Sequence, residues 1–157
     1  GFCEEVCKLF PAIRRIRRWE PIDWRGVYLL ALASGVGFGI SESITYGSSY
    51  NGIQTAGIYA VRFISCVALH AIWSGAAAIT LFNRQDDLHG VGTLEYLWRL
   101  LRIVSVPMVL HGLYDTLLKK QMGSIALVTA LVSFGWMAFQ FERMHQRETS
   151  TELATTI

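Results

Sequence analysis

The chain has 157 residues, 52% of them hydrophobic and only 17% charged, with a formal net charge of +2. Soluble domains carry nearer a quarter charged residues, and nucleic-acid binders gather their basic residues on one face of such a domain; this distribution excludes both classes. Positions 26–41, 63–83 and 121–141 contain no Asp, Glu, Lys or Arg, and 103–114 is a shorter clean window. One bilayer crossing takes about 20 largely apolar residues, so the expected fold is all-α: a polytopic transmembrane helical bundle of about five helices.

The first helix is expected over 2–10, ending or kinking at Pro11. GFCEEVCKLF begins without an initiator Met and partway through a helix, so N-terminal spans are expected to be missing ahead of it. RRIRRWEPIDWRG then reads as a headgroup-level segment, because Trp favours the interface and Arg reaches out from it, with EPID as a turn. A helix over 26–46 is rich in Ala31, Ala33, Ser34, Gly35, Gly37 and Gly39, which permit close approach of a neighbour. GSSYNGI is an uncharged turn over 47–53, followed by a helix over 54–82 and an exposed polar linker, NRQDDLHGVG. Helices over 93–119, bent at Pro107, and over 122–141 complete a transmembrane bundle of residues 1–141. Residues 142–157 are expected to form a frayed polar cytoplasmic tail. Cys3, Cys7 and Cys66 form no CxxC pair and read as small apolar fillers.

Basic residues near span ends orient the bundle. Arg14, Arg15, Arg17, Arg18 and Arg25 place the first linker in the cytoplasm; Arg84, Arg99, Arg143 and Arg147 fall on the same side, while Lys119 and Lys120 dissent. Arg99 and Arg102 read as anchors, with Glu95 and Arg99 an i,i+4 pair.

Four polar clusters interrupt the apolar helices. An ionisable group at mid-span costs about 2.5–3.5 kcal/mol, so it usually faces the bundle interior with a partner or a task. Glu4 and Glu5 both neighbour Lys8 on one helix face, an arrangement that suits acid–base work on water. Phe38, Glu42 and Tyr46 share the next face, and Glu42 has no cation within its own helix. Arg62, Cys66, His70 and Ser74 form a polar stripe four residues apart, and His70 can donate, ligate a metal or stabilise an oxyanion. His111 and Asp115 lie one turn apart, where the carboxylate can orient the imidazole. Glu42 lies about 24 Å and His111 about 26 Å along their helices at 1.5 Å per residue, so the groups can meet in the middle or outer half of the bilayer.

EEVCK at 4–8, FGISE at 38–42, the helix carrying Arg62 and His70, and HGLYD at 111–115 resemble, in order, the motifs of the PrsW family of intramembrane proteases. That family is distantly related to the CAAX prenyl endopeptidase and bacteriocin-immunity superfamily. The spans that usually precede its first motif are expected to lie ahead of Gly1, and Ser43 stands where Asn often follows the FxxxE acid. The resemblance implies an intramembrane endopeptidase acting on a membrane-anchored protein, of the anti-sigma-factor kind, in a bacterial cytoplasmic membrane. The implied catalytic residues are Glu4, Glu5, Lys8, Glu42, His70, His111 and Asp115, with Arg62 in support.

Two chemistries stay open. Glu4 or Glu5 can activate water directly, or Glu42, His70, His111 and one N-terminal carboxylate can hold zinc, which accepts a mixed N/O shell; no HExxH signature is present. A different class of function, a non-catalytic or transport-type bundle with a buried Glu/His/Asp network, is the alternative.

Overall fold

In the computed structural model the backbone of residues 1–18, 21–49 and 56–155 is described, with side chains for 1–18, 21–45 and 59–150. The described residues form an all-helical bundle: α1 (Phe2–Arg17), α2 (Trp24–Ser49), α3 (Ala56–Asn83), α4 (Thr93–Lys119) and α5 (Gly123–Thr155), with one 3₁₀ turn at Asp86–Leu88. Four stretches, Trp24–Thr45, Tyr59–Asn83, Thr93–Lys119 and Gly123–Ser150, are long and apolar enough to cross a bilayer. The chain is an integral membrane protein. The expected 47–53 turn, the start of EPID at residue 20 and the Tyr46 side chain lie wholly or partly outside the described residues.

Three expectations need correction. Helix α1 does not stop at residue 10; it continues through Pro11 to Arg17. Leu9, Ala12, Ile13 and Ile16 are all buried on one face of it, and that burial offsets the backbone hydrogen bond that proline forgoes. The tail is helical to Thr155 rather than frayed from residue 142. Glu148 accepts from Trp24 Nε1 and from Nη1 and Nη2 of Arg25, the latter two at 2.9 and 2.6 Å. Arg147 Nη1 donates to Asn83 Oδ1 at 2.9 Å, so α5 is tied to both α2 and α3. The 83–92 linker is not wholly exposed, because Leu88 tucks into the core.

Those ties, with the Arg17 guanidinium over the Tyr96 ring at 5.4 Å, collect the arginine-bearing helix ends at one end of the bundle. The main core lies there too, built from Leu9, Ile13 and Ile16 of α1, Val27 and Ala31 of α2, Ala77 and Leu81 of α3, and Leu100, Ile103 and Val104 of α4. Much of α5 presents apolar side chains outward, including Leu127, Val128, Leu131 and Phe134, as a lipid-facing helix should.

Helices α2 and α3 meet most closely. A Cβ built on Gly39 would lie 2.6 Å from Val67 Cα, and one on Gly35 would collide with the His70 carbonyl oxygen. The missing side chains therefore set the spacing that brings Glu42 to His70. Gly39→Ala is expected to destabilise the protein by about 1–3 kcal/mol through overpacking. Gly37, two residues from each contact glycine and so on the opposite side of the helix, with nothing within 4 Å of its Cβ position, supplies the control: Gly37→Ala should be neutral or stabilise by about 0.5–1 kcal/mol. Thermal unfolding midpoints in one detergent check the pair.

Candidate active site

The N-terminal turns of α1 present Glu4, Glu5 and Lys8 to the interior. Lys8 is completely buried and donates to Glu5 Oε1 at 2.7 Å, to Glu4 Oε1 at 3.1 Å and to His70 Nδ1 at 3.2 Å. Three acceptors match the three protons of an ammonium. The Phe38 ring of α2 covers the same nitrogen at 5.9 Å, a cation–π contact that gives the aromatic of FGISE a physical role.

His70 of α3 is 2% exposed. Since Lys8 can only donate, His70 Nδ1 must be the acceptor, and Nε2 carries the proton toward Glu42 Oε2 at 2.8 Å; the tautomer is inferred from its partners. His111 of α4 faces carboxylates through both ring nitrogens. Its Nδ1 lies 2.8 Å from Glu5 Oε1 and 3.5 Å from Glu4 Oε1, and its Nε2 lies 3.4 Å from Asp115 Oδ2. The His70 and His111 rings meet edge to face at 4.8 Å. Residues that are far apart in the chain thus form one cluster carried on α1, α2, α3 and α4.

Exposure divides the cluster. Glu5 is 1% exposed, and one of its oxygens is shared by Lys8 and His111. Glu4 and Glu42 are 28% and 22% exposed, so the accessible side belongs to them and to Asp115. Arg62 is exposed two turns along α3 from His70 and contributes no described bond to the cluster. Cys66 is half-buried and its thiol points at the Gly39 carbonyl, 3.7 Å away; Cys3 and Cys7 are exposed, not packed as fillers among the described residues. Ser74 is buried against Gly35.

Trp73 has no counterpart among the residues singled out from sequence. It is 1% exposed and stacks on the His111 ring with centroids 4.8 Å apart and planes 23° apart. Its only sequence signal was the i,i+3 spacing from His70, which any core aromatic on the same helix face shares.

The donors suit a divalent metal. Glu4, Glu42, His70 and His111 each offer one ligating atom, and these atoms lie within 4.8 Å of one another. Metal–ligand bonds of about 2.0–2.2 Å place tetrahedral neighbours about 3.3–3.6 Å apart, a modest adjustment from this arrangement. Charge points the same way. Four carboxylates, Glu4, Glu5, Glu42 and Asp115, outnumber the one lysine among them, and imidazole protons or a bound cation can offset the excess of negative charge.

No curated protein and no solved structure matches the chain. The family model described as PrsW family intramembrane metalloprotease matches residues 1–140, a stretch that contains every member of the cluster. Four polar motifs meeting inside a membrane bundle, and a match over most of its length, place this chain in the PrsW family of intramembrane metalloproteases.

Proposed function

We propose that the protein is an intramembrane endopeptidase that hydrolyses a peptide bond of a membrane-anchored protein, an anti-sigma factor being the type of substrate expected, at a zinc site. The observation that carries this reading is the meeting of two imidazoles and two carboxylates within 4.8 Å, inside a bundle whose family is proteolytic. Glu42, His70 and His111 would hold the metal once His111 Nδ1 is released from Glu5 and one His70 nitrogen from its present partner, the three-ligand pattern that leaves a position open for substrate or water. When bound, zinc acts as a Lewis acid toward the scissile carbonyl and makes water more acidic.

The remaining roles fall to the chain itself. Glu4, on the accessible side with Oε1 3.5 Å from His111 Nδ1 and 3.7 Å from His70 Nδ1, takes the proton of the attacking water and returns it to the leaving amine. Lys8 holds Glu4 in place from behind. Glu5, closed off from solvent, anchors Lys8 and His111 instead of reacting. Asp115 orients His111 through Nε2. The arginine-rich end faces the cytoplasm of a bacterial cell in this reading, and the active site lies in the middle or outer half of the bilayer.

A metal-independent, glutamic-type variant keeps Glu4 as base and uses the histidines as donors. It is favoured by the 2.8 Å separation of His70 Nε2 and Glu42 Oε2, a hydrogen-bond distance shorter than that between two ligands on one zinc ion.

Reconstitution of tag-free protein with a transmembrane peptide tests both variants. Glu4→Gln is expected to lower kcat by about 10²–10⁴-fold with KM unchanged, whereas Glu5→Gln should act mainly on stability. Undiminished cutting by Glu4→Gln rejects it as the base. Loss of activity to a chelator, restored by zinc, selects the metal variant, and insensitivity with metal-free elemental analysis selects the other.

A further inference from the structure

We infer that Trp73 is a positioning residue that locks the ring plane of His111, and that Ser133 locks Trp73 in turn, so that α5 takes part in organising the site although it contributes no member of the cluster. The inference deepens the proposed hydrolase reading and concerns the same site.

Five contacts carry it. The Trp73 indole lies nearly parallel to the His111 imidazole, 4.8 Å away with planes 23° apart, an offset-stacked geometry. It meets His70 edge to face at 5.8 Å and Tyr114 at 6.1 Å. Its Nε1 donates to Ser133 Oγ at 2.9 Å, and Ser133 Oγ donates to the Thr129 carbonyl at 2.8 Å. Trp73 and Ser133 are 1% and 0% exposed, so water does not compete for either bond.

The carboxylates fix His111 along its edges, Glu5 at Nδ1 and Asp115 at Nε2, but edge contacts leave the ring free to tilt about the line joining them. A rigid indole on one face removes that freedom. The indole is itself a large plate on a two-torsion side chain, and the hydrogen bond to Ser133 stops it from rotating. With Nδ1 turned over to a metal, Asp115 at Nε2 would be the usual outer-shell carboxylate of a metal-binding histidine, and the indole adds a π face.

The full-length chain labelled with isotopic histidine, in micelles, reads the ring directly. It contains only four histidines, assignable by single substitutions. In the wild type, His111 is expected to give one set of ring signals, its protons shifted upfield of those of His89 and His145 by the indole. Trp73→Leu should abolish that shift and broaden or split the set, and zinc affinity, measured by competition with a chromophoric chelator, should weaken about 10–100-fold. Trp73→Phe keeps a ring on His111 and should restore most of the shift and affinity. Ser133→Ala leaves every ring in place and should broaden the His111 signals with a smaller loss of affinity.

A folded Trp73→Leu protein with wild-type His111 signals and zinc affinity overturns the inference. If Trp73→Leu fails to fold, Ser133→Ala and Trp73→Phe decide it: unchanged His111 signals in the first, or a ring in the second that restores nothing, reject it. A wild type that binds no zinc and cuts no peptide defeats the hydrolase reading alone, because the ring signals still report whether Trp73 holds His111.

Discussion

His111→Ala is expected to reduce cleavage of a transmembrane peptide by about 10²–10⁴-fold and to abolish stoichiometric zinc, while the protein remains folded and monodisperse. The size of the effect follows from how many contacts end on this one ring. Glu5 and Asp115 take its two nitrogens, Trp73 covers its face and His70 abuts its edge. Alanine removes the proposed ligand nitrogen, the one that faces Glu5 Oε1, so under the zinc reading the metal position is lost and the acidic wall loses a partner. Asp115→Asn is the graded comparison. It keeps the side-chain shape and weakens only the outer hold on Nε2, so a loss of about 10–100-fold is expected, in kcat rather than KM. Single-turnover assays on protein purified without a polyhistidine tag separate the two, and wild-type turnover by His111→Ala would remove the histidine from the mechanism.

Lys8→Met is expected to cost about 3–5 kcal/mol of stability, the usual consequence of leaving a buried charge without its partner. Lys8 has no exposed surface and Glu5 almost none, and they are 2.7 Å apart. Removing the ammonium leaves Glu5 facing Glu4 with only the histidines to offset two carboxylates. Glu5→Gln in the same background removes that charge, so the double variant should recover a large part of the loss. The recovery is a coupling energy, readable as a double-mutant cycle on thermal or denaturant unfolding. Lys8→Arg should not rescue: a planar fork cannot meet three acceptors converging on one fully buried nitrogen. Additive losses in the cycle would mean that the two charges are not each other's main support.

The two predictions differ in what made them visible. Lys8 and its carboxylates were legible at i,i+3 and i,i+4 spacing, because helix geometry alone fixes which side chains within one helix are neighbours. That a neighbouring helix could approach α2 closely was legible from Gly35 and Gly39 in the same way, but that the neighbour is α3 was not. That Lys8 also reaches His70, that Phe38 covers it, and that Glu5 is sealed while Glu4 is accessible could not be read from spacing, since each depends on the rotation of one helix against another. Pro11 is a strong local signal for a kink or a boundary, and only the tertiary burial of Leu9, Ala12, Ile13 and Ile16 carries α1 on to Arg17. The tail was misread because its residues are polar, and the partners that order it, Trp24, Arg25 and Asn83, lie at least about sixty positions away in the chain.

By itself, the sequence determined that this is an integral membrane helical bundle and which carboxylates and imidazoles are out of place in it. Charge-free windows and helical spacing are local properties, and the high cost of an unpartnered charge in hydrocarbon makes each exception conspicuous. Only the tertiary structure decided that those exceptions share one cluster, which of its acids can reach water, and that an indole on α3 anchored by a serine on α5 backs one of its histidines. Those outcomes depend on interhelical distance and rotation, which are set by packing over the whole bundle and leave no periodic trace in any one segment.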